Sequence, residues 1–383
     1  MIEKNQQTIL ELLKASLFHV APAFPDDADW EAVLQEATAQ TVVGLTAPAV
    51  PAAEAEKWRI PAARNTAGFL RILHAQAALV TLFDAADIPL VILKGTAAAM
   101  YYPSPQRRTM GDVDFIVPPE RFDDAARLMQ ESGYRFNGDY GDGRDYSYQK
   151  DGVEIELHRR YSDEGRDIDP LLFGDASQIV RREVLGVKFP CLDDRLNGLL
   201  ILDHVRHHLY GGIGLRQIID WMMFVHAYLT DEVWEREFQP LAAEAGLDIL
   251  AMTMTKMCRV WLGLPDEITW CDPADDLTAG QLMETVLRFG NFGRKDPYVY
   301  RPMEGVAMGV RKDGLFRFLQ NTGMENWKAA KKHRILRPFA WIYQVFRFAG
   351  RGLAALFSGK HLVQDASSGV EKADFYRRLG IER

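Results

Sequence analysis

Between two long stretches of helical periodicity lies one segment, residues 86–190, in which the hydrophobic repeat shortens toward two, so a small sheet is expected inside an otherwise helical chain. On its N-terminal side Ile9, Leu10, Leu13 and Leu17, and later Phe69, Leu70, Ile72 and Leu73, recur at the spacing of a helix face. The same period returns in Leu196–Tyr210, Leu215–Leu229 and Trp234–Leu262. Within the middle segment, Pro89-Leu-Val-Ile-Leu93 is a short apolar run with β-branched residues, and Asp112-Val-Asp-Phe-Ile-Val117 opens in polar–apolar alternation. Tyr146–Gln149 and Val153–His158 flank an Asp-Gly dipeptide, the local signature of a hairpin. Pro118-Pro119 opens a helix with Phe122, Ala125, Ala126 and Met129 on one face, and Gly133 falls where a left-handed cap is expected. The expected class is α+β, a small mixed sheet flanked by helical units. The expected division is 1–85, N-terminal helices; 86–190, the sheet domain; 191–300, helices completing a cleft; and 301–383, a C-terminal helical extension.

Three strand residues carry the chemistry. Asp112 and Asp114 are two apart, so both project from one face of their strand, while Val113 points the other way. Glu154, Glu156 and His158 alternate in the same manner with Val153, Ile155 and Leu157. Spacing alone leaves Glu154 and Glu156 as equal candidates for a third carboxylate. Clustered carboxylates from neighbouring strands match hard cations such as Mg²⁺, and phosphate oxygens complete the shell. Lys94-Gly95-Thr96 ends the preceding strand, where glycine lets backbone approach a phosphate and a hydroxyl donates to it. Arg107 and Arg108, just before the acidic strand, offer guanidinium groups for phosphate charge.

These motifs resemble the polymerase-beta-like nucleotidyltransferase superfamily, in Leu93-Lys-Gly-Thr96 and Gly111-Asp-Val-Asp114. The closer likeness is to a bacterial nucleotidyltransferase family with an Arg-x-x-small-Asp-x-Asp segment, here Arg108-Thr-Met-Gly-Asp-Val-Asp114, and an acidic-Leu-His strand end, here Glu156-Leu-His158. Its later helix with spaced histidines and then Leu-Arg-x-x-x-Asp is similar to His204-Val-Arg-His-His208 and Leu215-Arg-Gln-Ile-Ile-Asp220. The resemblance implies a nucleotidyltransferase domain at 86–190. It also implies transfer of a nucleoside monophosphate from a nucleoside triphosphate to an acceptor, with loss of pyrophosphate. Asp112, Asp114 and Glu156 would then hold two Mg²⁺ ions, with Mn²⁺ as the alternative. Lys94, Gly95, Thr96, Arg108, Gly111 and His158 would contact nucleotide. A small molecule, peptide, protein, sugar or RNA would each serve as acceptor. The competing reading is a non-catalytic nucleotide-binding or interaction protein on the same fold.

Other features set bounds. A net charge of −8 argues against a surface built throughout to coat nucleic acid. Three cysteines, Cys191, Cys258 and Cys271, suit neither a disulfide framework nor a thiolate zinc site, and a reducing cytoplasm is expected. No transmembrane segment is expected, because Arg347 and Arg351 interrupt the most apolar stretch, Pro338 to Phe357. His204, His207 and His208 lack the companions of a zinc motif and are expected in helix packing and in hydrogen bonds to the active-site domain. Arg216 and Asp220, four apart, are expected to form a local helical pair. The basic region 328–351, with Lys328, Lys331, Lys332, Arg334 and Arg337, is expected to be the solvated face of a closing helix, with a peripheral anionic partner as its functional alternative.

Overall fold

A computed structural model describes residues 2–139, 144–162, 167–295, 306, 309–311, 313–357 and 362–381. Two compact units divide the chain, Met1–Asp296 and Pro297–Arg383. The first holds the N-terminal helices, the sheet and the helices that follow it.

Five strands, β1 (Val91–Leu93), β2 (Asp112–Ile116), β3 (Arg135–Asp139), β4 (Asp145–Lys150) and β5 (Val153–His158), form one sheet in the order β1-β2-β5-β4-β3. Only β2 and β5 run parallel in it, and their register sets Asp112 opposite Glu154, Asp114 opposite Glu156 and Ile116 opposite His158. The β4–β5 turn has Asp151 at φ 51° and Gly152 at φ 72°, the two left-handed residues that a two-residue hairpin matched to strand twist requires. Edge strand β3 carries no alternation that marks it in the sequence; its register breaks between Phe136 and Gly138. A separate hairpin pairs β6 (Ile179–Val184) with β7 (Val187–Leu192).

One face of the sheet is apolar. Ile92, Val113, Phe115, Ile155 and Leu157 pack there against Phe69, Ile72, Leu79 and Phe83 of the long helix Ala55–Ala85, and against Phe122, Ala125 and Met129 of Phe122–Glu131. Ala55–Ala85 is long and apolar enough to cross a membrane by length and composition, a property it shares with core helices, and its buried stripe lies in this core. Because side chains alternate along a strand, the same packing turns the acidic residues to the opposite face.

Helices Asp194–Leu209 and Leu215–Tyr228 pack together on the acidic side of the chain's first unit. They are tied to the short helix Gly95–Ala99 and the loop after it: Asn197 Nδ2 donates to Ala97 O at 2.8 Å, and the Tyr101 hydroxyl donates to Asp194 at 3.0 Å. Gly198 lets the two long helices approach, since a Cβ there would lie 2.1 Å from the Phe224 ring. Gly198→Ala is therefore expected to cost about 1–3 kcal/mol by overpacking, more than the ~1 kcal/mol that Ala regains in helix propensity. Chemical denaturation checks this. Adding Phe224→Leu to Gly198→Ala is expected to restore part of the loss, and no restoration would remove the steric account.

The apolar pattern of Trp234–Leu262 predicts a continuous helix, but the chain breaks it. A π-helical turn at Trp234–Phe238 leads into Gln239–Glu244, and Gly246 at φ 62° ends that segment before Asp248–Leu262. In the second unit, Leu315–Asn326 packs on Ala340–Phe357, with Phe318 stacked on Phe348. The basic residues 328–337 do not share one helix face: they run through Lys328–Lys332 and the 3-10 turn Arg334–Phe339, where Lys331, Lys332, Arg334 and Arg337 are exposed.

Candidate active site

The acidic face of the sheet opens into a cavity of about 350 Å³. Asp112, Asp114, Glu156 and His158 line it from β2 and β5, Lys94 and Gly95 from the end of β1, and Asp203, His204, His207, His208 and Arg216 from the two helices above. Parallel pairing makes this convergence: with Asp114 and Glu156 in register on adjacent strands, ligand atoms of Asp114, Glu156 and His158 lie within 4.8 Å of one another. Asp112 stands two residues along the same face.

Lys94 is bent into the cluster by its backbone. It adopts φ 48° and ψ −134°, an unfavourable conformation for a residue with a side chain, and strain of this kind gathers at functional sites. Its Nζ sits 3.1 Å from Asp114 Oδ1. His158 Nε2 approaches the same oxygen at 3.2 Å. Burial raises the Asp114 carboxyl, but the Lys94 ammonium and His158 outweigh it and hold the group below the usual carboxylate range. The neighbours answer in the opposite sense. Asp114's charge and then burial push Asp112 up to about 6, and burial and then Asp114's charge push Glu156 up to about 8. Three close carboxylates thus resist being ionised together without a cation among them.

A sign follows for stability. Glu156 keeps a proton in the folded, metal-free chain that the unfolded chain releases near 4.5, so its contribution is full below that pH and is lost as pH rises toward about 8. With a chelator present, Glu156→Gln, whose neutral amide stands in for the protonated acid, is expected to lie close to the native chain in stability near pH 5 and to become the more stable of the two toward pH 8. Parallel melting-temperature curves for the two proteins would refute it.

The remaining sequence candidates separate. Gly95, at φ +33°, and Gly111 line the cavity. Thr96 is fully buried outside it, its hydroxyl donating to Gln76 Oε1. Glu154 is also outside, accepting from Ser147 Oγ at 2.9 Å, so of the two glutamates it is Glu156 that faces the cavity. Arg108 reaches the wall, but its guanidinium is committed: Nε and Nη2 donate to the two Asp220 oxygens at 2.6 and 2.7 Å, and the Tyr102 hydroxyl adds a third bond at 2.6 Å. Asp220 therefore pairs with Arg108 across 112 residues and not with Arg216 one helical turn away. Released from that pair, Arg216 lines the cavity with Nη1 donating to Thr109 O at 3.3 Å and a buried Nε that has no partner.

Asp145 is a lining residue that the sequence does not single out, whereas the three histidines, expected in packing and in hydrogen bonds to this domain, also face the cavity. Asp145 begins β4 opposite His158, and the polar alternation Asp145, Ser147, Gln149 is the signal that extends the strand to it. The histidines of Asp194–Leu209 line the cavity, with His204 and His208 rings 4.3 Å apart. Burial, then the neighbouring imidazole of His208, holds His204 below its ordinary value, and burial, then His207, pushes His208 down to about 3. Both are uncharged donors and acceptors near neutral pH.

No curated protein matches this chain. Solved structures that it resembles include ANT(2″)-Ia in complex with adenylyl-2″-tobramycin, at 14% identity over 45% of this chain and 95% of that one, with a TM-score of 0.34. A solution structure of the antibiotic-resistance factor ANT(2″)-Ia matches at 14% identity over 49% and 92%, with a TM-score of 0.32. An antigenic nucleotidyltransferase-like protein from Paracoccidioides brasiliensis matches at 14% over 52% and 94%, with a TM-score of 0.33. Residues 26–263, which contain the whole sheet and both cavity-lining helices, match the family described as uncharacterised nucleotidyltransferases, and the chain belongs to that family.

Proposed function

We propose that the protein moves a nucleoside monophosphate from a nucleoside triphosphate to an acceptor oxygen. The acceptor oxygen forms a bond to the α-phosphorus, the bridging bond to the β-phosphate breaks, and pyrophosphate carries away the electron pair. The observation that supports this best is the convergence of Asp112, Asp114 and Glu156 from two parallel strands onto a cavity walled by Lys94 and Arg216. The hard oxygens fit a divalent cation, with Mg²⁺ expected from the carboxylates alone. When bound there, such an ion supplies a Lewis acid that draws charge from phosphate oxygens and makes the acceptor hydroxyl more acidic.

The chain's own groups do the rest. Asp112, Asp114 and Glu156 would hold the ion or ions against the phosphates. Gly95 brings backbone to the cavity wall without a side chain. Lys94 Nζ, 3.1 Å from Asp114 Oδ1, would meet phosphate oxygen. The phosphate-neutralising role expected of Arg108 falls to Arg216, whose partnerless Nε is a buried donor in want of an acceptor. The neutral histidines offer hydrogen bonds to the acceptor or to nucleotide without adding charge. A cytoplasmic setting belongs to the same proposal.

Calorimetric titration with ATP, GTP, CTP and UTP, with and without Mg²⁺, tests binding, and a pyrophosphate-release assay tests chemistry. Pyrophosphate as product supports the reading; a nucleoside diphosphate as product assigns transfer of the γ-phosphate instead. Metal-dependent nucleotide binding with no product from any acceptor class favours the non-catalytic alternative. Arg216→Ala is expected to weaken triphosphate binding by about 10–100-fold, the scale of a lost charge-assisted hydrogen bond of roughly 1.5–3 kcal/mol. Unchanged affinity in that titration would take Arg216 out of the site.

A further inference from the structure

The donor atoms of the cluster bear on which ion it takes, an inference that rests on the reading that a divalent cation binds there. His158 ends β5, in register with Ile116 on one side and Asp145 on the other. Its Nε2 points among the carboxylates, 3.2 Å from Asp114 Oδ1 and 3.7 Å from Glu156 Oε2. On the far side of the ring, Nδ1 is buried without a hydrogen-bond partner, and Asp145 Oδ2 lies 3.8 Å from it. Asp145 is itself 3% exposed, and its Oδ1 also has no hydrogen bond.

A buried imidazole nitrogen left unpaired beside a buried carboxylate is costly unless the ring is needed in that pose. In a metal-bound histidine the second nitrogen is commonly steadied by a carboxylate that fixes the tautomer and turns the ring, and Asp145 stands on that side of His158. Mg²⁺ gains little from such a ligand, because it prefers oxygen and sheds water reluctantly, whereas imidazole suits first-row transition ions.

We propose that His158 is a ligand of the cation through Nε2, with Asp145, whose carboxylate faces Nδ1, as the positioning residue, and that this mixed set selects a first-row transition ion such as Mn²⁺ over Mg²⁺. Asp112, Asp114 and Glu156 keep the roles given above; His158 changes from a nucleotide contact to a metal ligand.

The test uses the full chain titrated with Mn²⁺ alone and with Mg²⁺ alone, with pulsed electron paramagnetic resonance on the Mn²⁺ form. The native chain is expected to show nitrogen hyperfine coupling from one imidazole. His158→Gln, which keeps size and polarity, is expected to abolish the coupling and to lower the Mn²⁺-to-Mg²⁺ affinity ratio at least about tenfold. Asp145→Asn is expected to weaken Mn²⁺ by roughly 10–100-fold, the usual effect of losing an outer carboxylate on a ligating histidine. Mn²⁺ bound to the native chain without nitrogen coupling, or an unchanged ratio in His158→Gln, overturns the proposal. Because the coupling is read on the native chain, a variant that fails to fold does not shelter it. Nitrogen coupling without pyrophosphate release removes the transfer reaction and leaves His158 as ligand; Mg²⁺ binding without Mn²⁺ binding removes the His158 proposal alone, and binding of neither ion at millimolar concentration removes both.

Discussion

Replacing Asp114 by Asn is expected to reduce nucleotidyl transfer by at least about 10³-fold, on the order of 4 kcal/mol of transition-state stabilisation. Asp114 is the hub of the cluster: one of its oxygens receives both Lys94 and His158, and its charge raises both Asp112 and Glu156. An amide keeps the shape and removes the negative charge that would hold the proposed ion. Asp112→Asn and Glu156→Gln are expected to fall in the same class, and Glu154→Gln is expected to stay within about twofold of the native rate, since Glu154 bonds Ser147 outside the cavity. Steady-state pyrophosphate release and calorimetric metal titration check the series. Native activity in Asp112→Asn and Asp114→Asn would show the assigned site to be wrong, and loss in Glu154→Gln with none in Glu156→Gln would exchange the two glutamates.

The largest stability effect is expected at the buried ion pair in the cavity wall. Asp220→Ala leaves the Arg108 guanidinium, 3% exposed, without its carboxylate, and breaking a buried pair by removing one partner costs about 3–5 kcal/mol. For a chain of this size that corresponds to a melting temperature lower by roughly 4–8 °C. The pair also anchors the loop that delivers Asp112. Arg108 lies four residues before it, and the neighbouring Thr109 hydroxyl sits 2.9 Å from Thr41 O and 2.5 Å from Asn65 Oδ1. Metal affinity is therefore expected to fall along with stability. Replacing both partners with apolar residues of similar volume, Arg108→Met with Asp220→Leu, is expected to recover most of the melting temperature, because no unpaired charge remains. A single variant that melts with the native chain would mean that water or relaxation already compensates the pair.

Much of the site was legible in local pattern. A period of two is a property of the extended backbone, so it places Asp112 with Asp114, and Glu156 with His158, on common faces whatever the rest of the chain does. Asp151-Gly152 announces its hairpin because few residues tolerate two successive left-handed conformations. The α+β class followed from the same two periodicities. Sequence was silent where the deciding partner is distant. It paired Arg216 with Asp220 because they are neighbours on a helix, whereas a bidentate bond from Arg108, which no helical spacing reveals, claims that carboxylate.

Which side chains share a face is set locally, because alternation and turn chemistry act within a few residues. Which faces meet depends on pairing between distant segments. Parallel pairing of β2 with β5 brings Asp114 to Glu156, the β4 register brings Asp145 behind His158, and the two helices close Arg216 and three histidines over them. The physical reason is range: a strand's pleat is set by its own backbone, but a cavity is made by contacts between segments that have no neighbourhood in sequence.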